Sequence, residues 1–97
     1  METKIQAIHF DASESLVSFI QKKIEKLVRK NVNITDAAVT LKVVKPETAI
    51  NKEARLVLTV PTHEDIVATK VADTFEEAID LAIAALEPQL EKLKDKK

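Results

Sequence analysis

The sequence predicts an α+β fold, a two-layer sandwich in which a four-stranded sheet carries two helices on one face. Three observations predict it. Strand-like and helix-like segments alternate in the order β-α-β-β-β-α. Each helical segment has one apolar side, so each has a single face to bury, and both are expected on the same side of the sheet. A helix separates the first two strands, which makes them parallel through a right-handed crossover, whereas short connections join the later strands as antiparallel hairpins.

Residues 4–10 (KIQAIHF) mix β-branched and aromatic residues over one strand length. Asp11 or Ser13 then offers a cap for a helix from about residue 14 to residue 30. Leu16, Val17, Ile20, Ile24, Leu27 and Val28 share one side of that helix. Asn31 is placed to end it in a left-handed turn. Residues 36–45 (DAAVTLKVVK) alternate, with Val39, Leu41 and Val43 on one face and Thr40 and Lys42 on the other. A polar loop follows at 46–53, then a strand at 54–60, a tight connection at 61–65 and a strand at 66–72. The last quarter, DTFEEAIDLAIAALEPQLEKLKDKK, reads as the second helix. Thr74 and Glu77 have the spacing of a capping box, in which hydroxyl and carboxylate each take a free N–H. Phe75, Ile79, Ala82, Ile83, Leu86, Leu90 and Leu93 form its apolar stripe. Pro88 removes a helical hydrogen bond and crowds the turn before it, which predicts a kink or break near Leu86 and Glu87, with Pro88 opening a second helical piece.

Composition narrows the function classes. At 97 residues and 45% apolar, the chain is expected to be one domain, residues 1–97. It has no apolar run long enough to span a bilayer and no basic-then-apolar leader at its start. It has no cysteine, so thiolate chemistry and disulfides are excluded; with the absent leader this fits a cytoplasmic setting. It also has no glycine, where an average chain of this size has about seven. Phosphate-binding loops, dinucleotide fingerprints and serine elbows all need glycine for positive φ or close approach, so these nucleotide and nucleophile sites are excluded as well.

The remaining chemistry is sparse. His9 with Asp11, and His63 with Glu64 and Asp65, are the histidine–carboxylate groupings; neither has metal-ligand spacing, and ordinary polar residues are the preferred reading. Ser13 reads as a cap, and the Glu76–Glu77 pair as dipole complement at a helix start. No enzyme, cofactor or small-molecule substrate is expected. The lysines carry more. Lys22, Lys23, Lys26, Arg29 and Lys30 lie on the first helix, and Lys92, Lys94, Lys96 and Lys97 at the end of the second. Depending on the relative direction of the helices, these clusters form one stripe or sit at two ends. Such a stripe can track phosphates; the plainer reading is a solvated helix face. The net charge of −1, from 15 basic and 16 acidic residues, makes distribution rather than sum decisive. Phe19, at the edge of the apolar side near Lys22 and Lys23, is read as filling the seam between the helices in preference to stacking on a base. An alternative to RNA binding is a protein-interaction module using the uncovered sheet face, with Val57, Val67 and Val71, or an edge strand.

Four stretches in order resemble one family, the short ribosome hibernation promoting factors or ribosomal subunit interface proteins. They are residues 14–27 (ESLVSFIQKKIEKL), 41–45 (LKVVK), 78–80 (AID) and 89–96 (QLEKLKDK). The resemblance implies a fold laid out like a double-stranded RNA-binding domain. It implies binding to the small ribosomal subunit and its 16S rRNA near the decoding centre, blocking the mRNA and tRNA channel and inhibiting translation under stress or in stationary phase. It places Lys23, Lys26, Lys42, Lys45, Lys92, Lys94 and Lys96 where the family has basic residues; Lys22, Arg29 and Lys30 rest on charge alone. Pro88 stands where the family often has a basic residue. Off the ribosome the chain is expected to be a monomer.

Overall fold

The computed structural model describes residues 2–8, 12–31, 34–44, 50–61 and 63–95, with the side chains of Glu2 and of residues 93–95 outside that description. The elements are β1 (Glu2–Ile8), α1 (Glu14–Lys30), β2 (Asp36–Val43), β3 (Lys52–Thr59), β4 (Ile66–Ala72) and α2 (Phe75–Asp95). The strands lie in the order β1-β2-β3-β4, with β1 parallel to β2 and the other neighbours antiparallel. This is the expected architecture.

Alternation decides which side of each strand is buried. Val39 and Leu41 of β2, Ala54, Leu56 and Leu58 of β3, and Ile66, Ala68 and Ala72 of β4 point into one core. Ile20, Ile24 and Leu27 of α1 and Phe75, Ile79, Ala82, Leu86 and Leu90 of α2 close it from above. α2 packs on β3 and β4, and α1 touches both β1 and α2. A fully buried Leu or Ile stabilises by about 1.5–3 kcal/mol, so this single core holds the domain together.

The strand ends differ from the sequence expectation because pairing sets them. β1 starts at Glu2, opposite Asp36, and its last residue, Ile8, faces Lys42; His9 and Phe10, expected in this strand, lie outside the described residues. β2 ends at Val43, short of residue 45. β3 takes in the polar pair Lys52 and Glu53 because Val43 and Lys42 offer them ladder partners.

The helix ends are set by side chains. Ser13, rather than Asp11, caps α1: its Oγ accepts from the Leu16 N–H at 3.1 Å. Asn31 ends α1 without the expected left-handed turn, at φ −134° and ψ 76°. Its amide Nδ2 donates to the Leu27 carbonyl at 2.9 Å and its own N–H to the Val28 carbonyl at 3.0 Å, so the loose carbonyls are met without positive φ. Thr74 Oγ1 accepts from the Glu77 N–H at 3.1 Å, half of the expected capping box. The Glu77 carboxyl turns to Asp73 instead.

α2 is continuous through Pro88, so of the expected kink or break the break does not occur, and no second helical piece opens at Pro88. Leu86 and Leu90, on either side of the proline, are both buried in the core and anchor the two turns to it, whereas Pro88 itself is exposed. The Gln89 side chain donates to the Ala85 carbonyl at 3.2 Å, one residue beyond the Ala84 carbonyl that Pro88, lacking an N–H, leaves without its helical donor.

Candidate nucleic-acid interface

The strand order dictates the helix direction. β1 and β2 run the same way, so α1 returns against them; β4 runs with β2, so α2 also returns against the sheet. The two helices are therefore parallel. Lys23 Nζ lies 3.2 Å from Asp80 Oδ1, and one step of seven residues along each helix Lys30 and Glu87 border the same cleft. The basic ends of both helices consequently lie at one end of the helix layer.

Lys22, Lys26, Arg29 and Lys30 are exposed on α1. Among the described residues Lys22, Lys26 and Arg29 have no ion-pair partner. Lys23 is different. Besides the Asp80 contact, its ammonium sits 5.4 Å from the centroid of the Phe19 ring. Phe19 is half-buried and packs against the core. With the two side chains 42% and 54% exposed, the Lys23–Asp80 pair contributes no more than about 1 kcal/mol. A cleft of about 180 Å³ runs between the helices, with Lys23, Lys26 and Lys30 on one wall and Asp80 and Glu87 on the other.

The outer surface of α2 is not basic along most of its length. Glu76, Glu77, Asp80, Glu87 and Glu91 are all exposed, and the cations begin only at Lys92. Lys94 belongs to α2 by its backbone, with its side chain outside the description, and Lys96 lies outside the described residues. The stripe is thus α1 together with the last turns of α2, flanked by carboxylates. Asp80, the counter-charge of Lys23, is the residue that sequence reasoning did not assign a role; its spacing from Lys23 becomes visible only once the helices are known to be parallel and level.

Lys42 does not join that surface. It points to the uncovered face of the sheet, in register with Glu53, at the end where α1 begins. Lys45 lies outside the described residues. The uncovered face is crossed by three rungs: Ala38–Val57–Val67, Thr40–Arg55–Thr69 and Lys42–Glu53–Val71. The Arg55 rung separates Val71 from the Val57–Val67 pair, so the three valines do not form one apolar patch. Among the described residues no three metal-ligating side chains converge, and no helix is long and apolar enough to cross a membrane. His9 and Asp11 fall outside the description, and His63 is exposed in the β3–β4 turn.

Comparison with known proteins adds a family. The family model described as Sigma 54 modulation protein / S30EA ribosomal protein matches residues 3–97. No curated protein sequence matches the chain. Solved structures share its fold, among them the following two. A ribosomal subunit interface protein from Coxiella burnetii superposes with a TM-score of 0.85 at 22% identity, over 99% of this chain and 100% of that one. The N-terminal domain of Protein Y from Thermus thermophilus gives 0.76 at 19% identity, over 93% and 94%.

Proposed function

Because the chain belongs to the sigma 54 modulation protein / S30EA ribosomal protein family, we propose that it binds the small ribosomal subunit near the decoding centre and inhibits translation by filling the mRNA and tRNA channel. The family is one of binding factors, and the chain is not an enzyme. Inhibition is steric: a folded domain with extents of 47, 23 and 18 Å occupies space that mRNA and tRNA would otherwise use. Phosphate neutralisation supplies affinity, and shape supplies placement. The observation that carries this reading is the exposed cation row Lys22, Lys26 and Arg29 on α1 in a chain whose family match spans residues 3–97.

Lys30 and Lys92 extend the contact from the same end of the helix layer, Lys94 and Lys96 join the contact set on the family resemblance, and Lys23 joins by exchanging Asp80 for a phosphate. Lys42 contacts a different RNA segment, as a channel walled by rRNA on several sides permits, and Lys45 is assigned to RNA on the family resemblance. Accumulation under stress or in stationary phase, and action in the cytoplasm, complete the reading. The test is co-sedimentation of the purified protein with small subunits across a salt series, with and without tRNA. Binding that weakens as salt rises and is displaced by tRNA is expected. No binding even at low salt would overturn the reading.

A further inference from the structure

The charges on the two helices are segregated in a way that RNA binding does not use. On α2, Glu77, Leu81, Ala84, Pro88 and Glu91 recur at steps of four and three, so they stand in one row on the outer face. Leu81 is 42% exposed, and Ala84 and Pro88 are exposed beside it. Asp80 and Glu87 flank this row on the cleft side. The result is an apolar strip edged by carboxylates. On α1 the outer face presents Lys22, Lys26 and Arg29, with Glu25 as a lone carboxylate among them. Long basic side chains lay their methylene stems on apolar surface and keep their charged heads at its edge. The α1 row and the α2 row are therefore complementary in both respects, but they lie side by side in one molecule and cannot face each other there.

We propose that two copies of this chain, when free of RNA, pair through their helix layers, with α1 of each copy lying on α2 of the other. The geometry selects one symmetry. Because α1 and α2 are parallel and level, with Lys23 beside Asp80, a two-fold axis running along the interhelical cleft lays α1 of one copy over α2 of its partner at the same height. A two-fold axis across the helices would instead set cation against cation on facing α1 helices. The first arrangement is isologous: every contact occurs twice, and the assembly closes at two.

Its size sets its strength. Seventeen residues of α1 span about 25 Å. Two helices side by side are about 20 Å wide. The interface then buries about 1,000 Å² in total, at the small end for specific complexes, so a dissociation constant on the order of 10 μM is expected. Ion pairs at this exposed surface weaken with salt. The paired form hides Lys22, Lys26 and Arg29, so pairing and polyanion binding exclude each other. A concentrated, idle pool of the protein would hold its own cationic face covered. The monomer expected from the sequence is the form at low concentration.

Sedimentation velocity on the full chain tests this without reference to the ribosome. At about 50 mM salt the mass is expected to pass from monomer to dimer between roughly 1 and 100 μM, and to return to monomer at about 500 mM salt. A monomer across that range at low salt would overturn the proposal. Two variants locate the surface. One carries Lys22→Glu, Lys26→Glu and Arg29→Glu; the other carries Glu87→Lys and Glu91→Lys. Each alone is expected to stay monomeric, and an equimolar mixture to recover the dimer, because each half-interface then regains opposite charges. If the Glu87→Lys, Glu91→Lys variant pairs as the unmodified chain does, with its circular dichroism unchanged, the helix layer is not the interface. Pairing without ribosome binding would sink the proposed function and leave this inference standing; ribosome binding without pairing would do the reverse.

Discussion

Asp73 and Glu77 put two carboxyl groups within hydrogen-bond reach at the start of α2. The hydrogen bond to Asp73, and then its charge, hold the Glu77 carboxyl above its ordinary value of 4.5. The folded chain therefore binds a proton here more tightly than the unfolded chain does. Stability from this pair is present below the unfolded value and is lost as pH rises through the raised folded value. Thermal melts of the Asp73→Asn variant should lack that loss, while the unmodified chain shows it. Local chemistry of this kind is partly legible in the sequence. Thr74 and Ser13 announce themselves as caps because their hydroxyls have few other uses before an apolar stripe. Glu77 and Asn31 do not, since each has two possible partners and only the folded backbone selects one: Asp73 rather than a free N–H, and the Leu27 carbonyl rather than a left-handed turn.

Among elements, α2 shows where sequence reasoning and folding part company. A proline inside a helix costs about 3 kcal/mol, which is ample reason to expect a break. Leu86 and Leu90 outweigh it. Each is buried, each contributes about 1.5–3 kcal/mol, and a break between them would expose one or the other. Replacing Pro88 with Ala should keep the helix and raise the stability of the domain by roughly 1–3 kcal/mol, read from urea unfolding midpoints at constant slope. An unchanged midpoint would mean that the exposed position of Pro88, with water at the Ala84 carbonyl, already absorbs the whole cost. The strands were legible as elements because alternation survives in a half-covered sheet. Their ends were not, because Lys52 and Glu53 look like loop until Val43 and Lys42 are seen opposite them.

At the level of the whole molecule, the parallel helices decide what the charges can do. Net charge near zero conceals a cationic α1 and an anionic α2, and the expected basic stripe contracts to one helix and the tail of the other. If Lys22 and Arg29 each neutralise one phosphate, changing either to Gln lowers the slope of log affinity against log salt by about 0.7–0.9. Lys70→Gln, an exposed cation on β4, should leave that slope unchanged in the same ribosome-binding titration. The relative placement of the two clusters was open in the sequence because it depends on strand order, a long-range property. The resemblance in residues 14–27 and 78–80 named the right family without saying that Lys23 and Asp80, one from each stretch, would touch.

The parallel β1–β2 pair also has a consequence in time. β2, β3 and β4 follow one another closely along the chain and can join as hairpins as soon as they collide. Glu2 meets Asp36 only after the whole of α1 has been spanned, so closure of this pair carries the largest loop entropy in the sheet. β1 is then expected to pair after the β2–β3–β4 meander during refolding. Until it does, the edge of β2 stays bare.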